Sequence, residues 1–412
     1  MAETNRVFVI GGGSSGMMAA ISAARCGAGV VLLEARDRVG KKLLATGNGR
    51  CNLTNKDSIP ARFHGGDRPF IASVLSRFPA GVAVDFFEQL GIACTVEDEG
   101  RIYPRCGQAS AVLDVLRWEL ERLRVDVRTG HAVQAVARQG PGFVLALNAG
   151  GELPAERLVL AAGGMAAPQF GSDGSGLRLA KALGHTLVEP VAALVPLRLD
   201  ASFPRKLKGV SFEGRGSLRC QGETLRSEAG EFLFTDSGIS GLPVLQLSRT
   251  AAVALKKQRA PRIVLDLFPD LRPDELNDAL AARFSRRSGK TLADALVGLL
   301  NKRLIPVVCS EAGISDHLQP AAELSAADRT ALARLLKDWS LPISGTLPWP
   351  EAQVTAGGIA LDEVDPETLE SRLVSGLFFC GEILDVDGDC GGFNLQWAWS
   401  SGFVAGQSAA GR

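Results

Sequence analysis

The chain has 412 residues, 46% of them hydrophobic and 22% charged, and its 45 Lys+Arg balance its 45 Asp+Glu. This length predicts two or three domains rather than one core, and the lack of net positive charge argues against nucleic acid or an anionic membrane surface as a partner. No run is expected to reach the ~20 apolar residues of a membrane helix. The opening Met-Ala-Glu-Thr-Asn-Arg lacks a leader pattern, so a cytoplasmic protein is expected. The eight cysteines include no C-x-x-C pair and read as reduced thiols. The four histidines, His64, His131, His185 and His317, are too scattered to predict a metal site.

Val7 to Ile10 reads as a buried parallel strand, Met17 to Cys26 as a helix of small apolar residues, and Val30 to Leu33 as a second strand ending in Glu34. Together they make one βαβ unit. Asp37 to Asn55 is polar, glycine-punctuated and expected to be loop. Helices are predicted over Val82 to Leu90, Ala109 to Leu123 and Gly176 to Gly184. Strands are predicted over Val125 to Val127, Phe143 to Leu147 and Arg157 to Ala161. The composition changes near Pro190 to Pro196. Alternating strands then follow around Val210 to Leu218, Glu231 to Thr235 and Arg262 to Leu267, with a helix over Leu242 to Leu255, which predicts a small antiparallel barrel or sandwich. Pro273 to Leu304 and Ala321 to Trp339 read as helical, and Pro342 to Pro350 as a proline-rich crossing. Strands resume at Gln353 to Thr355 and Gly376 to Cys380, before a last helix from near Asn394 to Ala410. The fold class is therefore α/β: residues 1–192 and 351–412 form a Rossmann-like domain. It is interrupted by a β-barrel domain over 193–268, a helical subdomain over 269–338 and a crossing over 339–350.

The chemistry starts at Gly11-Gly-Gly-Ser14-Ser15-Gly16. Its G-x-G-x-x-G pattern at Gly11, Gly13 and Gly16 is weak alone, but here it follows a strand, opens a helix and has Glu34 at the end of the next strand. Gly11 allows the tight turn, Gly13 lets a pyrophosphate approach, and Gly16 lets helix and strand pack closely. The helix start presents free N–H groups to phosphate. The Glu34 carboxylate suits ribose hydroxyls and repels a 2′-phosphate. A second stretch chooses FAD over NAD: Gly381-Glu382 ends a buried strand, and Gly391-Gly392-Phe393-Asn394 opens a helix whose positive end suits a reduced flavin. Ala398, Gly402, Ala405 and Gly406 would let that helix sit close to the first.

Thr46-Gly-Asn-Gly-Arg-Cys-Asn-Leu-Thr-Asn55 resembles the T-G-N-G-R-C-N-x-T-N loop of the HI0933-like (BaiN/YhiN-type) bacterial flavoproteins. Gly230 to Gly241, Val354 to Ile359, Gly381 to Gly388 and Gly391 to Ala398 are similar to later motifs of that family, so the likeness spans the chain. It implies an FAD-binding Rossmann-like domain, an inserted β-barrel with a helical subdomain, and NAD(P)/FAD-dependent oxidoreductase activity. Substrates proposed within the family include dehydro-bile-acid-type enones and aminoacetone, and neither is carried over. The resemblance implies that Lys42, Thr46, Gly47, Asn48, Arg50, Cys51 and Asn52 line the flavin. With the glycine turn, Glu34 and Ala35, the cofactor set adds Val133 at the adenine, Ala162 and Gly163 along the dinucleotide, and Gly381, Glu382, Asp387, Gly392, Asn394 and Leu395 from the C-terminal stretch. Two departures stand out: Asp236 replaces the family's usual His after Phe-Thr, and Met-Ala-Ala-Pro follows Gly163-Gly164 where Ser is common.

Other signals are weaker. Cys51 is read as a small buried side chain before a redox group. Asp236 and Asp387 are candidate acid/base groups; Asp387 could equally cap a turn, and for Asp236 the cap is the preferred reading. His64 and His185 are read as surface or packing residues, and Arg205, Lys206 and Lys208 as a solvated basic knot. Ser288-Gly-Lys-Thr291 imitates the end of a P-loop, but Phe284 stands where the first glycine belongs. The expected function is two-electron transfer between non-covalent FAD and a small organic substrate, with no catalytic residue assigned. There is no second G-x-G-x-x-G, so NAD(P)H would dock transiently as reductant, or the substrate itself would reduce the flavin. A non-catalytic flavin protein and a tRNA-modifying flavoprotein are the alternatives. Oligomeric state is left open.

Overall fold

The computed structural model describes residues 6–148, 150–286 and 289–411. Met1 to Asn5 of the N-terminal segment and Ser288 of the P-loop-like run lie outside the described residues. The chain forms two compact units, Met1–Val191 with Ala352–Arg412, and Ala192–Glu351.

The first unit is built on a five-stranded sheet in the order Leu377–Phe379, Arg157–Leu160, β1 (Arg6–Ile10), β2 (Gly29–Leu33), Asp126–Arg128, all parallel. Val7, Phe8, Val9 and Ile10 are all buried, as a strand covered on both faces requires. A strand from the far end of the sequence thus lies two places from β1. The helix α1 (Ser14–Arg25) follows β1, and the C-terminal helix Phe393–Ala409 packs on it. Small residues set that distance: a Cβ on Gly402 would stand 2.5 Å from the Ser15 carbonyl oxygen, and one on Gly406 2.3 Å from that of Ala19. The other face of the C-terminal helix buries Trp397 and Trp399, and the Trp399 indole N–H donates to the Leu53 carbonyl at 2.9 Å.

Two segments depart from expectation. Asp37 to Asn55 is not plain loop. It holds a short helix Lys41–Ala45, a 3₁₀ turn Thr46–Gly49 and a strand Thr54–Asn55, anchored by the buried Leu43 and by the bond from Gly40 N to Gly12 O. The run Arg68–Gln89 has the length and apolar composition of a membrane span, which the sequence reading did not anticipate. Phe78-Pro79 divides it into helices Arg68–Arg77 and Ala80–Gln89, and Phe70, Ile71, Val74, Phe86 and Phe87 bury in the core of this unit.

The second unit contains a closed six-stranded barrel in the order Leu197–Leu199, Gly238–Ser240, Glu223–Phe234, Ser211–Cys220, Arg262–Asp266, Trp339–Thr346. The last strand corrects the reading of Pro342 to Pro350 as a crossing. Trp339, Leu341 and Ile343 alternate inward, and Pro342 serves the ladder through its carbonyl, which accepts from Asp200 N. Phe203, Phe232, Phe234 and Trp339 fill the barrel. The helices Pro273–Arg286, Leu292–Leu296, Leu304–Glu311 and Ala326–Lys337 complete the unit. Thr291 caps one of them, its hydroxyl accepting from Asp294 N at 3.1 Å, which is the role of the P-loop-like run's threonine.

Candidate functional site

The glycine turn is fixed by its own backbone and by Glu34. Gly11 has φ +107, and Gly16 lies so close to it that an added Cβ would be 1.8 Å from the Gly11 carbonyl oxygen. The Glu34 carboxylate accepts from Gly12 N at 2.8 Å and from Arg36 N at 2.7 Å. Each oxygen keeps a second lone pair for a further donor. Gly13 caps α1 with no side-chain bond, and a Cβ there would meet nothing within 4 Å. The first amides of α1, beside the half-buried Ser14 and the buried Ser15, lie at the positive end of the helix.

Ala162 and Gly163 cross directly beside Gly11, whose added Cβ would lie 2.9 Å from the Ala162 Cα. Gly381 closes on α1: Ser15 Oγ would be 2.3 Å from a Cβ placed on it. Next to it, Glu382 anchors a polar network drawn from four distant segments. Its Oε2 accepts from Lys42 Nζ at 2.7 Å, and its Oε1 from Thr355 N at 2.9 Å and Thr355 Oγ1 at 2.6 Å. The fully buried Thr355 hydroxyl in turn accepts from Met165 N at 2.8 Å and Ala166 N at 3.0 Å. Glu382 is thus held in one orientation.

The loop from Thr46 is wound tightly. Gly47, Asn48, Gly49 and Cys51 all have positive φ, a concentration of left-handed backbone that marks functional loops. The Thr46 hydroxyl donates to Leu43 O. Burial pushes the Cys51 thiol up to about 12, so it stays protonated and unreactive, in keeping with a packing role. The Arg50 guanidinium leans over Tyr103, 4.3 Å from the ring centroid, and bonds Glu97. Asn52 Oδ1 is buried with no hydrogen-bond partner and lies 2.8 Å from where a Cβ on Gly392 would stand. The Ser172 hydroxyl, beside Gly163, is likewise buried and unpartnered. Such groups cost free energy unless something satisfies them.

At the C-terminal helix, Gly392 is the N-cap, with φ +96 and no side-chain cap, and Leu395 lies half-buried in the first turn. The Asn394 side chain clasps Gly388, accepting from its N–H at 2.8 Å and donating to its carbonyl at 2.9 Å. Exposed Ala35 follows Glu34. Val133 opens the strand Val133–Gln139, just after backbone that bonds the Glu34 and Arg36 carbonyls through His131 N and Gly130 N.

Other expected residues have settings of their own. Asp387 is buried in the strand Val386–Gly388, paired in register with His64. His64 is more than a packing residue: its Nε2 lies 2.8 Å from Oδ1 of the buried Asp389. His185 is packed, 2.8 Å from the Ser371 hydroxyl. Asp236 forms an exposed ion pair with Lys208 at 2.7 Å. Residue-by-residue reading missed Thr355, Tyr103 and Asp389. Thr355 sits in a motif that carried the resemblance, and Tyr103 is the one tyrosine in the chain.

The profile of the HI0933-like protein Rossmann domain matches residues 5–408. The chain belongs to the HI0933-like family. It is 42% identical over 410 residues to the 3-dehydro-bile acid delta(4,6)-reductase of Clostridium scindens, covering 99% of this chain and 100% of that protein. It is also 32% identical over 402 residues to the ribosomal RNA dihydrouridine synthase of Escherichia coli, covering 97% and 96%. Among solved structures, the open conformation of a flavocytochrome c3 fumarate reductase aligns with TM-score 0.52 at 16% identity, over 100% of this chain and 78% of that one. A 3-ketosteroid delta1-dehydrogenase from Sterolibacterium denitrificans aligns with TM-score 0.52 at 13% identity, over 99% and 100%. At these identities the two structures speak to the fold alone.

Proposed function

We propose that this chain is an oxidoreductase that binds FAD non-covalently and saturates a carbon–carbon double bond conjugated to a carbonyl in a small organic substrate. The observation that carries the reading is full-length similarity, at 42% identity, to a reductase whose name specifies such a bond. The residues present fit the cofactor. Gly11, Gly13, Ser14, Ser15 and Gly16 would take the pyrophosphate on the amides of α1, while Glu34 and Ala35 would take the adenosine ribose, with Val133 at the adenine. Ala162, Gly163, Lys42, Gly381 and Glu382 would line the middle of the dinucleotide. Thr46, Gly47, Asn48, Arg50, Cys51, Asn52, Gly392, Asn394 and Leu395 would border the ring, where the unpartnered Asn52 Oδ1 has capacity for a donor. Asp387, buried in the strand that pairs with the His64 strand, would join them on the cofactor side. When bound, FAD supplies two-electron transfer as hydride. The protein's own part is to hold that group rigidly, keep Glu382 oriented beside Lys42, exclude water and supply a proton. NAD(P)H is proposed as a transient reductant without its own glycine fingerprint.

A second reading rests on the Escherichia coli relative. Dihydrouridine is uridine with the ring double bond saturated, and that bond is also conjugated to a carbonyl. The two relatives' names therefore describe one chemistry on different carriers. The equal numbers of acidic and basic residues favour the small molecule over ribosomal RNA. Purified protein should show a flavin spectrum. Anaerobically reduced, it should be reoxidised by a dienone bile acid faster than by undermodified ribosomal RNA. Reoxidation by RNA alone would replace the first reading with the second. Flavin reducible by dithionite yet reoxidised by neither would leave a non-catalytic flavin protein.

A further inference from the structure

We propose that Tyr103 is the proton donor of the reduction, its phenol hydroxyl delivering the proton to the substrate carbon next to the carbonyl. This rests on the conjugated-alkene reading above. Saturating such a bond adds a hydride at the far carbon and a proton at the near one. The cofactor supplies only the hydride, so an acid must come from the protein or from water.

Most acids around the loop are committed. Lys42 and Glu382 neutralise each other, and both Glu34 oxygens hold backbone amides. Cys51 is sealed, its thiol pushed up to about 12. His64 is bonded to Asp389. Tyr103 differs in three ways. It lies on the strand Arg101–Pro104, which pairs with Thr54–Asn55 at the end of the Thr46 loop. Its ring meets that loop: a Cβ on Gly47 would be 3.3 Å from Cε1. Among the described residues its hydroxyl has no hydrogen-bond partner, and it is not fully sealed although the residue is largely buried.

The surroundings keep the phenol protonated until it is used, while two nearby arginines limit the cost of the anion. Burial raises its pKa. Arg101 and Arg50 pull it down, and Glu97 and Cys390 push it up. The Arg50 guanidinium over the ring stabilises the phenolate that donation leaves. In the step, the Tyr103 O–H bond breaks and a C–H bond forms, using the electron pair of the enolate left by hydride addition. The phenolate then takes a proton from water. The two electrons come from the cofactor, recharged by a dihydronicotinamide-class donor.

The test uses the flavin-loaded protein, pre-reduced without oxygen and mixed with a dienone bile acid. Tyr103→Phe should slow formation of the saturated product by about 10²–10⁴-fold while bound flavin, read by visible absorbance, is retained. Because the chain has one tyrosine, the near-ultraviolet rise on alkaline titration that wild type shows and Tyr103→Phe lacks reports the Tyr103 phenolate. Its midpoint should lie above the ordinary 10.0 and move when a saturated bile-acid ketone binds. Wild-type turnover should fall as pH rises through the same midpoint. A Phe variant as fast as wild type, or a phenolate midpoint that neither moves with ligand nor matches the kinetic one, overturns the proposal. Should the Phe variant fold poorly, agreement or disagreement of the two wild-type midpoints decides. If wild type reduces no conjugated probe, the function reading falls and the role of Tyr103 with it. Active wild type matched by the Phe variant removes Tyr103 alone and turns attention to His64.

Discussion

The two helices of the candidate cradle begin on glycines of opposite kinds. Gly13, at the start of α1, has φ −77 and ψ −173, an extended backbone open to any residue, and space where a Cβ would go. Gly392, at the start of the C-terminal helix, has φ +96, and a Cβ there would stand 2.5 Å from the Thr54 carbonyl oxygen. Neither helix has a side-chain cap. At Gly392 the fold itself demands glycine. At Gly13 nothing among the described residues does, so the position is free to admit a group that approaches the helix from outside.

That contrast can be broken by substitution. Gly392→Ala should cost about 3–5 kcal/mol of stability, since it combines a left-handed backbone with a clash against main chain. Thermal or urea denaturation of the apoprotein measures it. The next effect tests how the C-terminal stretch is held. Thr355→Val removes the acceptor shared by Met165 N and Ala166 N and one donor to Glu382, and should cost about 1–3 kcal/mol. Thr355→Ser should recover most of it by keeping the hydroxyl. If Val is as stable as Thr, the network does not hold the segment. Gly13→Ala should change apoprotein stability by less than about 1 kcal/mol, the difference between Gly and Ala as caps. Flavin affinity should nonetheless fall by about tenfold or more, or about 1.4 kcal/mol. Equal flavin affinity in Gly13→Ala and wild type would show that no ligand passes close to this backbone.

The same contrast explains what the sequence made legible. The βαβ unit was readable because its signals are local: an apolar strand, a glycine turn and an acid at the next strand's end all fall between Val7 and Glu34. The packing of the C-terminal helix on α1 was readable from the small residues Gly402 and Gly406. The barrel strand Trp339–Thr346 was misread because Pro342 reads locally as a break, whereas it needs only its carbonyl there. Thr355 and Asp389 were missed because their roles depend on partners far along the chain, Met165 and Ala166 for one and His64 for the other. No spacing rule links such pairs. Tyr103 had a signal, its being the sole tyrosine, but rarity alone carries no chemistry until Gly47 and Arg50 are seen beside it.

The smallest expected effect separates the two stretches by acid. The glycine turn at Gly11 to Gly16 holds no titrating side chain, whereas the C-terminal return is braced by His185. That imidazole is buried against the Phe379 ring and lies 2.8 Å from the Ser371 hydroxyl. Burial lowers its pKa from the ordinary 6.5, outweighing its bond to the Ala180 carbonyl and the charge of Glu363. Below pH 6.5 the unfolded chain therefore binds a proton that the folded chain refuses. Its contribution to stability is complete above that pH and declines as pH falls towards the depressed folded value. In His185→Gln, which keeps a hydrogen-bonding side chain but cannot titrate, the dependence of stability on pH between 6.5 and the lower value should flatten. Urea midpoints across that range measure the slope. An unchanged slope would show that His185 does not set the acid sensitivity of this range. Arg122 and Arg25 hold the Glu119 carboxyl below its ordinary range, so its contribution is lost only as pH falls through lower values.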